Sequence, residues 1–288
     1  MSTGLEHERT FEGFSSRDHA RAVTASAIGR YADSIGDPDP GARRGDLSIA
    51  PPLFPSTLVA DCFAECLTPV LREPSLRGIV HVGQEFETTR GLRANEETLN
   101  RGRLVGARRA RGSTILTCEL ETWSGSEPVA RARATVLAVG VELDREFGWR
   151  RRTDPTVERG PGRRARMELP SDQALQYAMA SGDDNPVHRD PTVARAVGFE
   201  DVVVHGLCVL GRAAVALAEL VDAGRRGRVV SLAGRFAEPA YDGDHLDVLT
   251  WESGGRRAFE VRGSRGIVVK RGRVVVASST NSDTREAG

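Results

Sequence analysis

Gly206 to Leu220 reads GLCVLGRAAVALAEL, and only Arg212 and Glu219 carry a charge in that run. A helix that is apolar on almost every face is buried on almost every face. Its glycines and alanines let a sheet approach closely. Downstream, Arg228–Ala237, Leu246–Glu252, Ala258–Arg262, Gly266–Lys270 and Arg273–Ser278 are rich in Val and separated by Gly-containing turns, as strands are. Val269 to Val274 reads as a tight hairpin. The simplest assembly of these parts is an α+β unit, one buried helix wrapped by a curved antiparallel sheet.

Immediately before the helix lies the chemistry. Gly182-Asp183-Asp184-Asn185-Pro186 is a loop by composition, because each residue type favours turn geometry. His188 follows on the same loop, and His205-Gly206 opens the helix. A carboxylate, an imidazole and a Gly at a helix start can together make a base, an acid and an oxyanion site. Taken singly, Asp183 reads as a loop cap and His188 as a core residue. A calcium loop is excluded by position, since His188 and Ala194 stand where a loop counted from Asp183 needs Gly and Glu. Zinc would need three inward-facing ligands, which spacing alone leaves open. Among nucleophiles, there is no G-x-S-x-G elbow, and Cys208 falls inside the apolar helix. No phosphate-binding loop or dinucleotide fingerprint is present.

Working outward, the pattern recurs. Tyr31-Ala32 through Gly36-Asp37 to Pro40 falls in step with Tyr177-Ala178 through Gly182-Asp183 to Pro186, at a constant offset of 146. Gln84-Glu85-Phe86-Glu87 parallels Gly234-Arg235-Phe236-Ala237 at an offset near 150. Two separated matches at nearly one offset indicate a duplicated domain. The first copy lacks the chemistry: His188 lands on Ala42, Asp190 on Arg44, and Pro51-Pro52 replaces His205-Gly206. Its loop is eight residues shorter. Ser16–Ile35 reads as a helix, Ser56–Leu67 as the counterpart of the buried helix, and His81–Thr88, Leu99–Ala107, Ser113–Trp123 and Ala130–Val141 as strands.

The expected organisation is a first domain over 10–143, a linker over 144–170 and a second domain over 171–280, with residues 1–10 frayed and the tail after Thr280 disordered. The linker is rich in Arg, Gly and Pro and reads as solvated. A sharper reading has Arg150–Arg152 or Arg163–Arg166 touching the phosphates of a pantetheine carrier or an acidic carrier protein. The 288 residues suffice for two cores, and zero net charge gives no field favouring nucleic acid or an anionic membrane. No apolar stretch reaches membrane-spanning length and no signal-peptide core is present, so a cytoplasmic protein is expected. Cys62, Cys66, Cys118 and Cys208 read as reduced, buried thiols.

The string from Tyr177 to Gly206, YAMASGDDNPVHRDPTVARAVGFEDVVVHG, resembles the signature of the MaoC-like, (R)-specific enoyl-thioester hydratases and dehydratases. The resemblance implies a double hot-dog fold with a degenerate first copy. It implies that Asp183 and His188 hold and activate a water, that Asn185 and His205 support the loop, and that the Gly206 N–H donates to the thioester oxygen. It further implies acyl-CoA or acyl-carrier-protein thioesters as substrates, with no metal or redox cofactor. Many relatives carry Ser where Gly211 stands. Two rival functions share the fold, a hot-dog thioesterase and a non-catalytic acyl-thioester-binding subunit. Two hot dogs in one chain already form a pseudo-dimer, so a monomer and a homodimer both fit.

Overall fold

The computed structural model describes residues 11–76, 78–148, 159–221 and 228–277. The expectations for residues 1–10, for Arg150–Arg152 and for the tail after Thr280 fall outside these residues. In chain order the elements are β1 (His19–Ala22), α1 (Ala25–Ser34), α2 (Pro55–Leu58), α3 (Ala60–Cys66), α4 (Thr68–Leu71), β2 (Gly78–Thr88), β3 (Glu97–Ala110), β4 (Ser113–Ser124) and β5 (Glu127–Val139). The second half supplies β6 (Gly162–Glu168), α5 (Gln173–Ser181), α6 (Pro191–Ala196), α7 (Gly206–Val221), β7 (Arg228–Phe236), β8 (His245–Ser253), β9 (Arg256–Gly263) and β10 (Gly266–Ala277).

Among the described residues, ten strands form one antiparallel sheet in the order β1-β3-β4-β5-β2-β7-β10-β9-β8-β6. The order is a palindrome: reading outward from the centre, each strand of the first half meets its counterpart in the second. Gln84 pairs with Gly234 across that centre. These two residues match in the sequence repeat, and a residue facing its own equivalent marks a pseudo-twofold axis. Tyr31 and Tyr177, matched at the other offset, are buried with ring centroids 5.9 Å apart. Gly36 and Gly182 both take the left-handed conformation that Gly permits (φ 64° and 77°); Gly182 caps α5, and Gly36 stands one residue past the Ile35 cap of α1. The whole is a double hot-dog fold.

The main core lies between α7 and the inner face of the sheet and runs without a break into the first half through Tyr31, Phe54 and Phe86. A smaller core fills the space under α3 with Cys66, Leu104, Leu116 and Val136. All four cysteines are free and buried. Among the described residues, no helix is long and apolar enough to cross a membrane.

Several elements depart from the sequence reading. Ser16–Ile35 is a strand followed by a helix. His19–Ala22 pairs with β3, and Thr24, in extended conformation, accepts from the Ala27 N–H and starts α1 there. Ser56–Leu67 is not one helix but spans parts of two short ones, α2 and α3, interrupted at Val59, and a third, α4, follows after Leu67; Pro stands in the first turn of α2 and of α4. The segment lies hard against β3, where a Cβ on Gly102 would come within 2.9 Å of the Cys66 sulfur. Val269–Val274 is no hairpin: β10 runs straight through, with one extra residue bulged out between Lys270 and Arg273 relative to β7. Nor is the whole segment 144–170 a solvated linker. Residues 162–168 form edge strand β6, because Ala165 and Met167 alternate inward between arginines. Arg164 is taken up by Asp247 and Arg163 by the Leu220 carbonyl. Finally, α7 is enclosed along Cys208–Gly211, Ala213, Ala214 and Leu217 but partly open along Val215, Ala216 and Ala218, and Glu219 is exposed.

Candidate active site

The site grows from the end of α5. Gly182 in left-handed conformation stops the helix and donates its N–H to the Ala178 carbonyl, which turns Asp183 out of the helix line. Asn185 Oδ1 then accepts from the Val187 N–H (3.3 Å), capping the single 3-10 turn Pro186–His188. Asp190 caps α6 in the same manner, accepting from the Thr192 N–H. The loop is thus pinned by one left-handed glycine and two short polar side chains.

His188 and Asp183 meet there. The His188 Nδ1 lies 2.7 Å from the Val203 carbonyl oxygen. A carbonyl only accepts, so Nδ1 carries the proton and Nε2 keeps its lone pair. His205, almost wholly buried, places Nε2 3.0 Å from the Asp183 carbonyl oxygen and 4.0 Å from its carboxylate. The His188 and His205 rings stack at 3.6 Å with 23° between planes, and Tyr177 packs against His205 at 5.0 Å. Donor atoms of Asp183, His188 and His205 all lie within 4.8 Å of one another. The Asp183 side chain is half exposed, whereas His188 is mostly covered.

Burial pushes the His188 imidazolium down from its ordinary value of 6.5, against the opposing pull of the Val203 carbonyl and the Asp183 carboxylate. His205 is pushed to about 4, first by burial and then by repulsion from a charged His188. Both rings are therefore neutral near pH 7. A metal would have to compete with bonds already made, since His188 Nδ1 and His205 Nε2 each face a carbonyl. The ring nitrogens that face no carbonyl are His188 Nε2 and the buried His205 Nδ1, beside the Asp183 carboxylate.

Gly206 opens α7 next to His205. The first N–H groups of a helix have no acceptor within it and carry the positive end of the helix dipole. The Phe236 ring lies directly on this residue, so that a Cβ on Gly206 would sit 2.7 Å from it. His81, from β2 of the first half, touches the Phe236 ring edge-on at 5.1 Å, with its Nε2 3.0 Å from the Gly83 carbonyl oxygen. Its basicity is lowered chiefly by burial, and the Asp183 carboxylate acts on it in the opposite sense. The structure brings Asp183, Asn185, His188, His205 and Gly206 together. His81 and the role of Phe236 were missed: His81 sits in no motif, Phe236 was read only as part of the repeat, and the tertiary contact between the two halves brings them beside the site.

Comparison with known proteins is consistent with this geometry. Residues 152–272 match the family model described as MaoC like domain. The chain is 39% identical over 128 residues to the 3-hydroxyacyl-thioester dehydratase Y of Mycobacterium tuberculosis, a match covering 42% of this chain and 44% of that protein. It is 36% identical over 109 residues to the enoyl-CoA hydratase ChsH3 of the same organism, covering 38% of each. The matches thus span less than half the length of these relatives. Over the whole fold it resembles the MaoC-like dehydratase from Phytophthora capsici, with a TM-score of 0.79, 22% identity, and coverage of 94% of this chain and 98% of that one. Residues 152–272 thus match the MaoC like domain, set within a double hot-dog fold.

Proposed function

We propose that the chain hydrates 2-enoyl thioesters, and dehydrates (3R)-hydroxyacyl thioesters, at the site formed by Asp183, His188 and Gly206. One observation carries this reading: the Asp183 carboxylate and the bare His188 Nε2 converge beside the mouth of α7. Hydration needs a base to take a proton from water as its oxygen bonds to the β-carbon. The electron pair of the double bond moves toward the thioester oxygen, and the α-carbon then receives a proton. Two proton-handling groups on one side of a bound water serve the first and last steps. The Gly206 N–H at the positive end of α7 serves the enolate oxygen between them. Asn185 and His205 hold the loop in register.

The shortened first-copy loop has a use in this reading. It leaves a mainly apolar cavity of about 230 Å³ bounded by Ile35, Pro51 and Leu53 on one side and Gly211, Ala214 and Ala218 of α7 on the other. At 1.5 Å per helical residue these α7 positions lie about 8–18 Å along the axis from Gly206, a span suited to a long or bulky acyl group. Activity on such substrates should therefore exceed that on four-carbon ones, and confinement to four carbons would remove this use. Because the two halves supply each other's interface, the reading needs no second chain, and a homodimer is compatible with it.

The direct test is substitution. Asp183→Asn and His188→Ala should each leave a folded protein whose hydration rate falls roughly 100- to 10,000-fold. Turnover near that of the unaltered chain in both would end the assignment. Release of free thiol in place of loss of the enoyl group would make the chain a thioesterase.

A further inference from the structure

The outer face of the sheet, away from α7, is recessed over the junction of the two halves. Three strands are bulged there: β2 between His81 and Gly83, β3 between Leu104 and Gly106, and β10 between Lys270 and Arg273. The residues at these bulges line a single groove of about 600 Å³. Bulges re-aim side chains and bend the strand that carries them. Arg271, at the β10 bulge, adopts φ 54°, a conformation that a non-Gly residue keeps only where its surroundings enforce it.

The lining is basic. Among the described residues, Arg108, Arg133, Arg235, Lys270, Arg271 and Arg273 contribute to it, with Glu85 beside them and Glu146 acting on Arg108. Glu119 engages Arg133, and Glu85 stands 3.7 Å from Arg273. Arg108 and Arg235 act on each other as like charges. One lining residue, Phe236, also borders the candidate site. β2 and β7 pair only from Gly83–Arg235 to Glu87–Ser231 and part beyond Gly83, where Val82 and Phe236 line the groove. The Phe236 ring is the one that lies on Gly206.

We propose that this groove holds the phosphates of the nucleotide end of a coenzyme A thioester, so that the carrier is the free coenzyme; the assignment rests on the enoyl-thioester reading above. A recess with cations converging on it from several strands fits a small ligand bearing a diphosphate and a 3′-phosphate. A carrier protein presents a convex surface and a single phosphodiester. Arginine and lysine side chains are the usual partners of such phosphates.

The test compares thioesters with and without the nucleotide, together with 3′,5′-ADP as a probe that needs no turnover. The variants are Lys270→Glu and Arg271→Gly, the second of which also relieves the left-handed backbone and so keeps the fold. Each should raise KM for an enoyl-CoA about tenfold and weaken 3′,5′-ADP binding to a similar degree. Kinetics with the matching enoyl-pantetheine should stay within about twofold. Equal effects on both thioesters, or a KM that rises only for an enoyl carrier protein, would overturn the groove assignment while leaving the hydratase reading intact. Should no thioester be turned over, the hydratase reading fails, and the 3′,5′-ADP titration alone decides the groove: binding lost in the variants supports a nucleotide-phosphate site, and binding unchanged refutes it.

Discussion

At the scale of single residues, the two stacked imidazoles carry the pH behaviour. His188 and His205 face each other at 3.6 Å, and burial holds both below the ordinary histidine value. The unfolded chain binds protons at these rings near pH 6.5, whereas the folded protein resists doing so. Protons thus favour the unfolded state, and stability is lost as the pH falls from about 6.5 toward the His205 value of about 4. For His205 the loss is on the order of 3 kcal/mol across that window. Urea denaturation at neutral pH and at pH 5 should show it, with a smaller difference in His205→Gln; the same difference in both proteins would remove His205 as the cause. Activity should persist somewhat below pH 6.5 for the same reason, since His188 Nε2 stays unprotonated there. Gly206 is equally constrained. Gly206→Ala places a methyl 2.7 Å from the Phe236 ring. It should lower kcat by roughly 100-fold or more through a displaced N–H. Phe236→Leu in the same chain should restore part of it, and no restoration would mean that the ring does not set the position of the helix mouth.

At the scale of elements, α7 and its strands were legible because their signals are local. The GLCVLGRAAVALAEL run can only be a core helix, and the Val-rich segments with Gly turns can only be strands of a sheet around it. The loop was legible for the same reason, since Gly182, Asn185 and Pro186 each dictate their own geometry. Illegible were the features set by tertiary neighbours. The β10 bulge imitates a hairpin because Lys270-Arg271-Gly272 has turn composition; pairing to both β7 and β9 keeps the strand in the sheet. The break of the first-half helix at Val59 and the partial exposure of α7 likewise depend on what packs beside them. Gly211 shows the same dependence. A Cβ here would meet Ile35 Cγ2 at 2.8 Å and the Tyr31 hydroxyl at 3.5 Å. Gly211→Ser should therefore destabilise the protein by about 1–3 kcal/mol, as overpacking does. Ile35→Ala should relieve the clash, and an unchanged denaturation midpoint in the single variant would contradict this packing.

At the scale of the whole molecule, duplication explains both the architecture and the asymmetry. Gln84 opposite Gly234 and Tyr31 against Tyr177 place the pseudo-twofold axis through the middle of one continuous sheet. Arg212 of α7 binds the Gln173 side chain and the Glu168 carbonyl and covers Gly36, while Gln173 donates to the Ser34 carbonyl. The halves are thus tied by polar contacts as well as by core. Equivalent positions then diverge: Ala42 and Pro51-Pro52 fill one side of the axis, and His188 and His205-Gly206 the other. The first half still contributes His81 beside the candidate site and, through β2 and β3, much of the basic groove. The measurement that bears most directly on this account is incubation of the full chain with a trans-2-enoyl-CoA, following loss of the enoyl absorbance and resolving the enantiomers of the product. The account predicts rapid loss of absorbance with accumulation of the (3R)-hydroxyacyl thioester. Persistence of the enoyl thioester, or formation of the (3S) product, would contradict it.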